Sequence, residues 1–287
     1  MESLYSIITA ASNKAYYGED KKIQSEIDGH IHLFDSDENI FELDKDLETK
    51  RLVGFIDIEP GKLDQYKNSV AMYDKFIKKS YDPNKHILLA SALNIDDIKR
   101  IYNKYPNIIK GFGEIKCYDI FKGEKIGTKN TKLIKEVCKF SESVGNLPIY
   151  IHYSLSHSKY VDRLKTVLSR FPNTPIVLCH CGMLAKPEIY YTDYPEYTND
   201  QIWYIVCELM NQYGNLWTDL TYVAADYFAE SPFKIYNLNM DRVILGTDLN
   251  PVIYKNETRV KQEIGKYNIL CGYVNNKENI NKLFNIK

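Results

Sequence analysis

The sequence predicts an α/β chain whose eight parallel strands close into a (β/α)8 barrel, within a single domain. Three observations predict it. Short runs rich in Ile, Val, Leu, Phe and Tyr alternate eight times with longer amphipathic stretches. Four of the six histidines stand at the carboxyl ends of those runs. No Gly-x-Gly-x-x-Gly follows the first run, which a doubly wound dinucleotide-binding sheet would carry there.

The runs are Glu26 to Phe34, Arg51 to Ile58, His86 to Leu93, Ile109 to Cys117, Leu147 to Tyr153, Pro175 to Cys181, Asn215 to Thr221 and Arg242 to Thr247. Each has the length of a buried strand. Helical periodicity appears between them. Ile95, Ile98, Ile101 and Tyr102 share one face, as do Leu133, Ile134, Val137 and Cys138. Tyr160, Val161, Leu164, Val167 and Leu168 form a third such stripe. Residues 1–22 precede the first strand as an N-terminal extension, a candidate cap for the barrel bottom, and residues 23–287 make the barrel domain. The stretch Lys186 to Ile205 is longer than a connection needs and holds Tyr190, Tyr191, Tyr194, Tyr197 and Tyr204. It is a candidate lid.

The chain has 287 residues, 44% of them hydrophobic and 26% charged, which fits a globular protein with a sizeable core. The net charge of −1 carries no basic excess, so nothing marks it as a nucleic-acid binder. Met1 to Lys14 shows no basic start followed by an apolar run, and no segment has the length and apolarity of a membrane span. The six cysteines lack zinc-ribbon spacing and read as reduced, buried thiols. A cytoplasmic protein acting on a small molecule is the expectation; a homodimer stays open. Cys179 and Cys181 flank His180 and, on a strand, should face away from it.

Asp28-Gly29-His30-Ile31-His32 is the richest segment. Side chains alternate along a strand, so His30 and His32 point the same way and make half of a metal site. His152 and His180 end the fifth and sixth runs. In a parallel barrel all these ends lie on one face, where the four imidazoles converge. Two acids join them: Glu114, late in the fourth run, and Asp248, after the eighth. His86 begins its strand and belongs at the opposite, stability face. His157 reads as a loop histidine.

These motifs resemble the amidohydrolase superfamily, most closely its amidohydrolase-2 branch. Asp28-Gly29-His30-Ile31-His32 is similar to that branch's first-strand signature, and His152, His180 and Gly246-Thr247-Asp248 to its fifth-, sixth- and eighth-strand residues. Asn279 to Phe284 resembles its closing segment. Gly113-Glu114-Ile115 is similar to the Gly-Glu-Ile of the TatD-like deoxyribonucleases, where the Glu bridges two metals. Other branches carry a carboxylated lysine on the fourth strand, for which Lys116 is a weak candidate.

The resemblance implies a hydrolase that opens a C–N or C–O bond, in an amide, ester or lactone, with a metal-activated water. A non-oxidative decarboxylase of an aromatic or unsaturated acid, a TatD-like nuclease and a non-catalytic metal-binding protein are the alternatives. His30, His32, His152 and Asp248 would hold one divalent ion, with His180 free to polarise a carbonyl. With two ions, His152 and His180 would take the second and Glu114 would bridge. Nitrogen and carboxylate donors suit Zn2+; Mn2+, Fe2+ and Ni2+ stay open. Bound water then ionises near pH 7, and Asp248 and His180 are the catalytic candidates. Asp28, Asp219 and Glu59 are candidate acceptors for the ligands' other ring nitrogens. Lys116, Tyr118, Tyr153, Ser154, Tyr222 and Asn250 lie at or past strand ends as candidate substrate contacts.

Overall fold

Eight parallel strands follow the chain in order around one sheet in the computed structural model, which describes residues 27–33, 51–56, 69–116, 131–183, 195–249 and 256–286. They are β1 (Ile27–Leu33), β2 (Arg51–Ile56), β3 (His86–Ala90), β4 (Ile109–Lys116), β5 (Ile149–His152), β6 (Ile176–Leu178), β7 (Leu216–Leu220) and β8 (Val243–Leu245). The helices are α1 (Ser69–Lys79), α2 (Ile95–Lys104), α3 (Thr131–Ser143), α4 (Ser158–Arg170), α5 (Asn199–Gln212), α6 (Tyr222–Glu230), α7 (Glu257–Cys271) and α8 (Asn276–Leu283). This is the single-domain TIM barrel that the alternating runs predict. Residues 1–22 lie outside the described residues.

Period-two alternation sorts the side chains into two cores. Val53, Phe55, Ile87, Leu89, Tyr150, Val177 and Ile244 fill the barrel. Their neighbours Leu52, Leu88, Ile149, Ile151, Ile176, Leu178 and Leu245 point outward against the helices. The three predicted helical stripes are the buried faces of α2, α3 and α4. Asn94 caps α2 by accepting from the Asp97 N–H at 2.8 Å, with Asp96 and Asp97 in the positive first turn. Part of the tyrosine-rich stretch is helix: Thr198 and Gln201 form a capping box that opens α5. Tyr190, Tyr191 and Tyr194 lie outside the described residues, so the lid is a matter for residues the structure does not describe.

The barrel closes between β1 and the end of β8 by two backbone hydrogen bonds, Asp248 N–H to His30 O (2.9 Å) and His32 N–H to Leu249 O (3.0 Å). Gly246 makes that approach achievable: a Cβ there would lie 2.5 Å from His30 N and 2.6 Å from His30 Cβ. The bottom is plugged by α8. Ile280 and Leu283 pack with Ile27, Val177 and Trp217, and Phe284 stacks on Tyr150 at 6.4 Å. Asn276, at the start of that helix, pins the seam. Its amide donates to Ile27 O (2.7 Å) and Leu245 O (3.1 Å), and its oxygen accepts from Leu245 N–H (2.8 Å). Asn276→Ala would remove all three of these buried hydrogen bonds across the seam. A loss of at least about 3 kcal/mol is expected in urea unfolding; an unchanged midpoint would refute the pinning role.

Candidate metal centre

The site grows from places where the strands stop being regular. Register breaks between Asp28 and Ile31 on β1, and between Phe112 and Ile115 on β4. These irregularities carry His30 and Glu114, and such bulges re-aim side chains. On β4 the break needs Gly113, whose φ of 122° suits only glycine and whose Cβ position is filled by Tyr150. His180, Cys181, Tyr222 and Asp248 also take positive φ, at 56°, 53°, 47° and 54°. All four follow strand carboxyl ends. Left-handed backbone in non-glycine residues concentrates at working sites.

β6 ends at Leu178, not at the predicted Cys181, and Cys179–Gly182 forms a 3-10 turn. The strand-based expectation that Cys179 and Cys181 face away from His180 is therefore corrected for Cys179. Two successive left-handed residues break the alternation. Cys179 joins the barrel interior, with its sulfur within 4.8 Å of ligand atoms of His30 and Asp219, while Cys181 packs toward the helices. The turn is tied to the segment just after β5 by Leu155 N–H to Gly182 O at 3.0 Å, which holds the His152 and His180 segments together.

All six predicted ligands meet at the mouth. His30, His32 and Glu114 offer ligand atoms within 4.8 Å of one another, and so do Glu114, His152 and His180. Glu114 is common to both triads: its Oε1 lies 2.6 Å from His152 Nδ1 and 3.5 Å from His180 Nε2. Asp248 Oδ1 is 2.8 Å from His32 Nε2 and 3.6 Å from His30 Nε2. The His152 and His180 rings meet edge to face, 4.6 Å between centroids.

Charge is concentrated here. Burial would raise the Glu114 carboxyl, but His152, His180 and His30 around it hold it well below the carboxylate range. Asp248 is held down to about 2, because the His32 hydrogen bond and neighbouring imidazoles outweigh burial. Asp219 is likewise lowered against burial, chiefly by His30. Burial alone would lower His180, yet Glu114, Asp248 and Asp219 push it up to about 9. At His152 burial wins, and its imidazole is lowered. Three buried acids thus call for positive charge between them. Among the described residues, His30 Nε2 is a buried polar atom there with no hydrogen-bond partner, and it faces Asp248. An ordered imidazole nitrogen left bare beside carboxylates fits a cation, and the nitrogen–oxygen donor set fits a divalent metal.

The other candidates separate. Asp219 Oδ2 accepts from His30 Nδ1 at 2.8 Å, the ring-orienting contact the sequence reading assigned to it. Asp28 instead holds backbone: it accepts from His30 N–H (3.1 Å), Thr247 N–H (3.0 Å) and the Thr247 hydroxyl (2.6 Å), and burial pushes its carboxyl up to about 6. Lys116 ends β4 in register with His152, and its charge helps to lower that imidazole. The Tyr222 ring stands 6.0 Å from His180. Tyr153 donates its hydroxyl to Tyr160 O at 3.0 Å and packs in the layer between barrel and helices. His86 starts β3, and its Nδ1 accepts from Asp82 N–H at 3.0 Å. His157 pairs with Glu196 at 3.2 Å. Asn250, Tyr118 and Glu59 lie outside the described residues. Thr221 was not foreseen: its Oγ1 is 2.7 Å from His180 Nδ1. Its place two residues after Asp219, just past the end of β7, was the available signal.

A family model described as Amidohydrolase matches residues 144–263, which include His152, His180 and Asp248. Solved structures share the fold. Amidohydrolase 2 from Bifidobacterium longum subsp. infantis is 11% identical, with a TM-score of 0.53 over 92% of this chain and 99% of that one. An amidohydrolase from Burkholderia multivorans with bound zinc is 8% identical, with a TM-score of 0.60 over 92% and 100%. An amidohydrolase from the same organism with bound HEPES is 9% identical, with a TM-score of 0.57 over the same shares. No curated protein sequence matches. The likeness to the amidohydrolase-2 branch read from the motifs is borne out. No helix among the described residues is long and apolar enough to cross a membrane.

Proposed function

We propose that this chain is a metal-dependent hydrolase that directs water at a C–N or C–O bond of a small molecule, an amide, ester or lactone. The observation that carries the proposal is Glu114, a single buried carboxylate shared by the His30–His32 triad and the His152–His180 triad. That arrangement suits two divalent ions with Glu114 between them, and the zinc in the Burkholderia multivorans amidohydrolase favours Zn2+. A metal held there would supply Lewis acidity to water and to a substrate carbonyl.

The chain's own groups do the rest. Asp248 is ionised and sits beside both His30 and His32, so it can take a proton from water and hand it to the leaving group. The His30 and His32 rings are braced by Phe55, at 5.6 and 4.6 Å between centroids, which keeps their nitrogens in place. Tyr222 and Lys116 flank the His180 and His152 ends of the mouth, where a substrate carbonyl or carboxylate would lie.

The test is metal content by mass spectrometry after purification in zinc-supplemented medium. One to two equivalents per chain are expected for the wild type. His30→Ala and Glu114→Ala should each lose metal, with Glu114→Ala emptying both positions. Wild-type protein without stoichiometric metal would sink the reading. A panel of esters, lactones and N-acyl compounds, run beside aromatic acids monitored for carbon dioxide, separates hydrolysis from decarboxylation.

A further inference from the structure

We propose that Asp219 and Thr221 together are the positioning device of the centre: they hold His30 and His180 as Nδ1–H tautomers, so that each triad receives one bare Nε2. The inference rests on a count of donors, and its consequence for metal binding rests on the function proposed above.

An ionised carboxylate can only accept hydrogen bonds. Asp219 Oδ2 lies 2.8 Å from His30 Nδ1, so that nitrogen carries a proton, and in the neutral ring that a metal requires His30 Nε2 keeps its lone pair. Asp219 Oδ1 accepts from the His180 backbone N–H at 2.7 Å and from the Thr221 hydroxyl at 2.7 Å. A hydroxyl has one hydrogen. Were it turned toward His180, two bare oxygens would face each other at 2.7 Å across the Thr221–Asp219 contact. With the hydrogen given to Asp219, Thr221 Oγ1 can meet His180 Nδ1, 2.7 Å away, only as an acceptor. His180 is therefore protonated on Nδ1, and its Nε2 points to Glu114.

The local structure carries a second sign. Thr221 is the residue before the first turn of α6, where threonine ordinarily spends its hydroxyl on the helix N-terminus. Here it makes no capping bond. The hydroxyl is diverted to the Asp219–His180 contact, completely buried. One carboxylate on β7 thus sets a ligand of each triad, one directly and one through Thr221. The two halves of the centre share this support as well as Glu114.

Thr221→Val keeps the shape and removes the hydroxyl; Thr221→Ser keeps the hydroxyl. Ring 15N spectra of histidine-labelled protein read the tautomers, and chelator competition reads zinc affinity. In the wild type, His30 and His180 should both show a protonated Nδ1 that exchanges slowly with solvent. Thr221→Val should lose that protection at His180 alone and weaken zinc binding about 10–100-fold, the usual effect of removing a partner behind a metal-binding histidine. Thr221→Ser should restore both. A neutral Nε2–H pattern at His30 or His180, or Thr221→Val with unchanged His180 signals and zinc affinity, overturns the proposal. If Thr221→Val does not fold, the wild-type spectra and Thr221→Ser still decide. If the wild type takes up no zinc, the function proposed above fails, while the ring spectra still judge the tautomers.

Discussion

Asp248→Asn is expected to lower turnover about 10²–10⁴-fold, the range for removing a group that moves a proton in the reaction. The measurement is the initial rate on whichever ester, lactone or amide the wild type hydrolyses, at saturating zinc. The substitution suits this position. Asp248 has a φ of 54°, and asparagine is among the few residues that accept left-handed backbone readily. The amide oxygen can still meet His32 Nε2, so the mouth keeps its shape while the proton acceptor is gone. Melting should change little. A zinc-replete variant that turns over at the wild-type rate would remove Asp248 from the chemistry.

Gly246→Ala should give a large loss of stability from one added methyl. The new Cβ would meet the backbone and Cβ of His30, at 2.5–2.6 Å, and backbone cannot swing aside as a side-chain tip does. β1 and the end of β8 would have to part, weakening the Asp248 N–H to His30 O bond and moving His30 off its acids. Overpacking in ordinary cores costs about 1–3 kcal/mol, and an unyielding neighbour places this case at the top of that range or above. For a chain this long, about 3 kcal/mol lowers the melting temperature by roughly 6–12 °C. Gly214→Ala is the control, because nothing lies within 4 Å of its Cβ position. Equal melting of the two variants would contradict the role given to the seam.

Much of this was legible before the structure. Strand order follows from period-two runs separated by helical stripes, and His30, His32, Glu114, His152, His180 and Asp248 follow from the rule that parallel strands share an active end. What escaped depends on features that leave little trace in composition. His180 and Cys181 take left-handed backbone without a glycine or asparagine to announce it, so the end of β6 read as strand and Cys179 was turned the wrong way. The Thr221 hydroxyl reads as a helix cap until its tertiary partner is known. The part that Ile280 and Leu283 of α8 play at the barrel bottom had no signal in their spacing alone.

The seam also bears on when the centre can come into being. Asn276 reaches Ile27 O across 249 positions of sequence, and Asp28 reaches Thr247 across 219. Contacts this distant along the chain carry a large loop-closure entropy and slow folding. His30 and His32 are made long before β8 and α8, and they gain Asp248 only once the end of β8 has docked. The metal centre is therefore a late product of folding, assembled in the same step that closes the barrel.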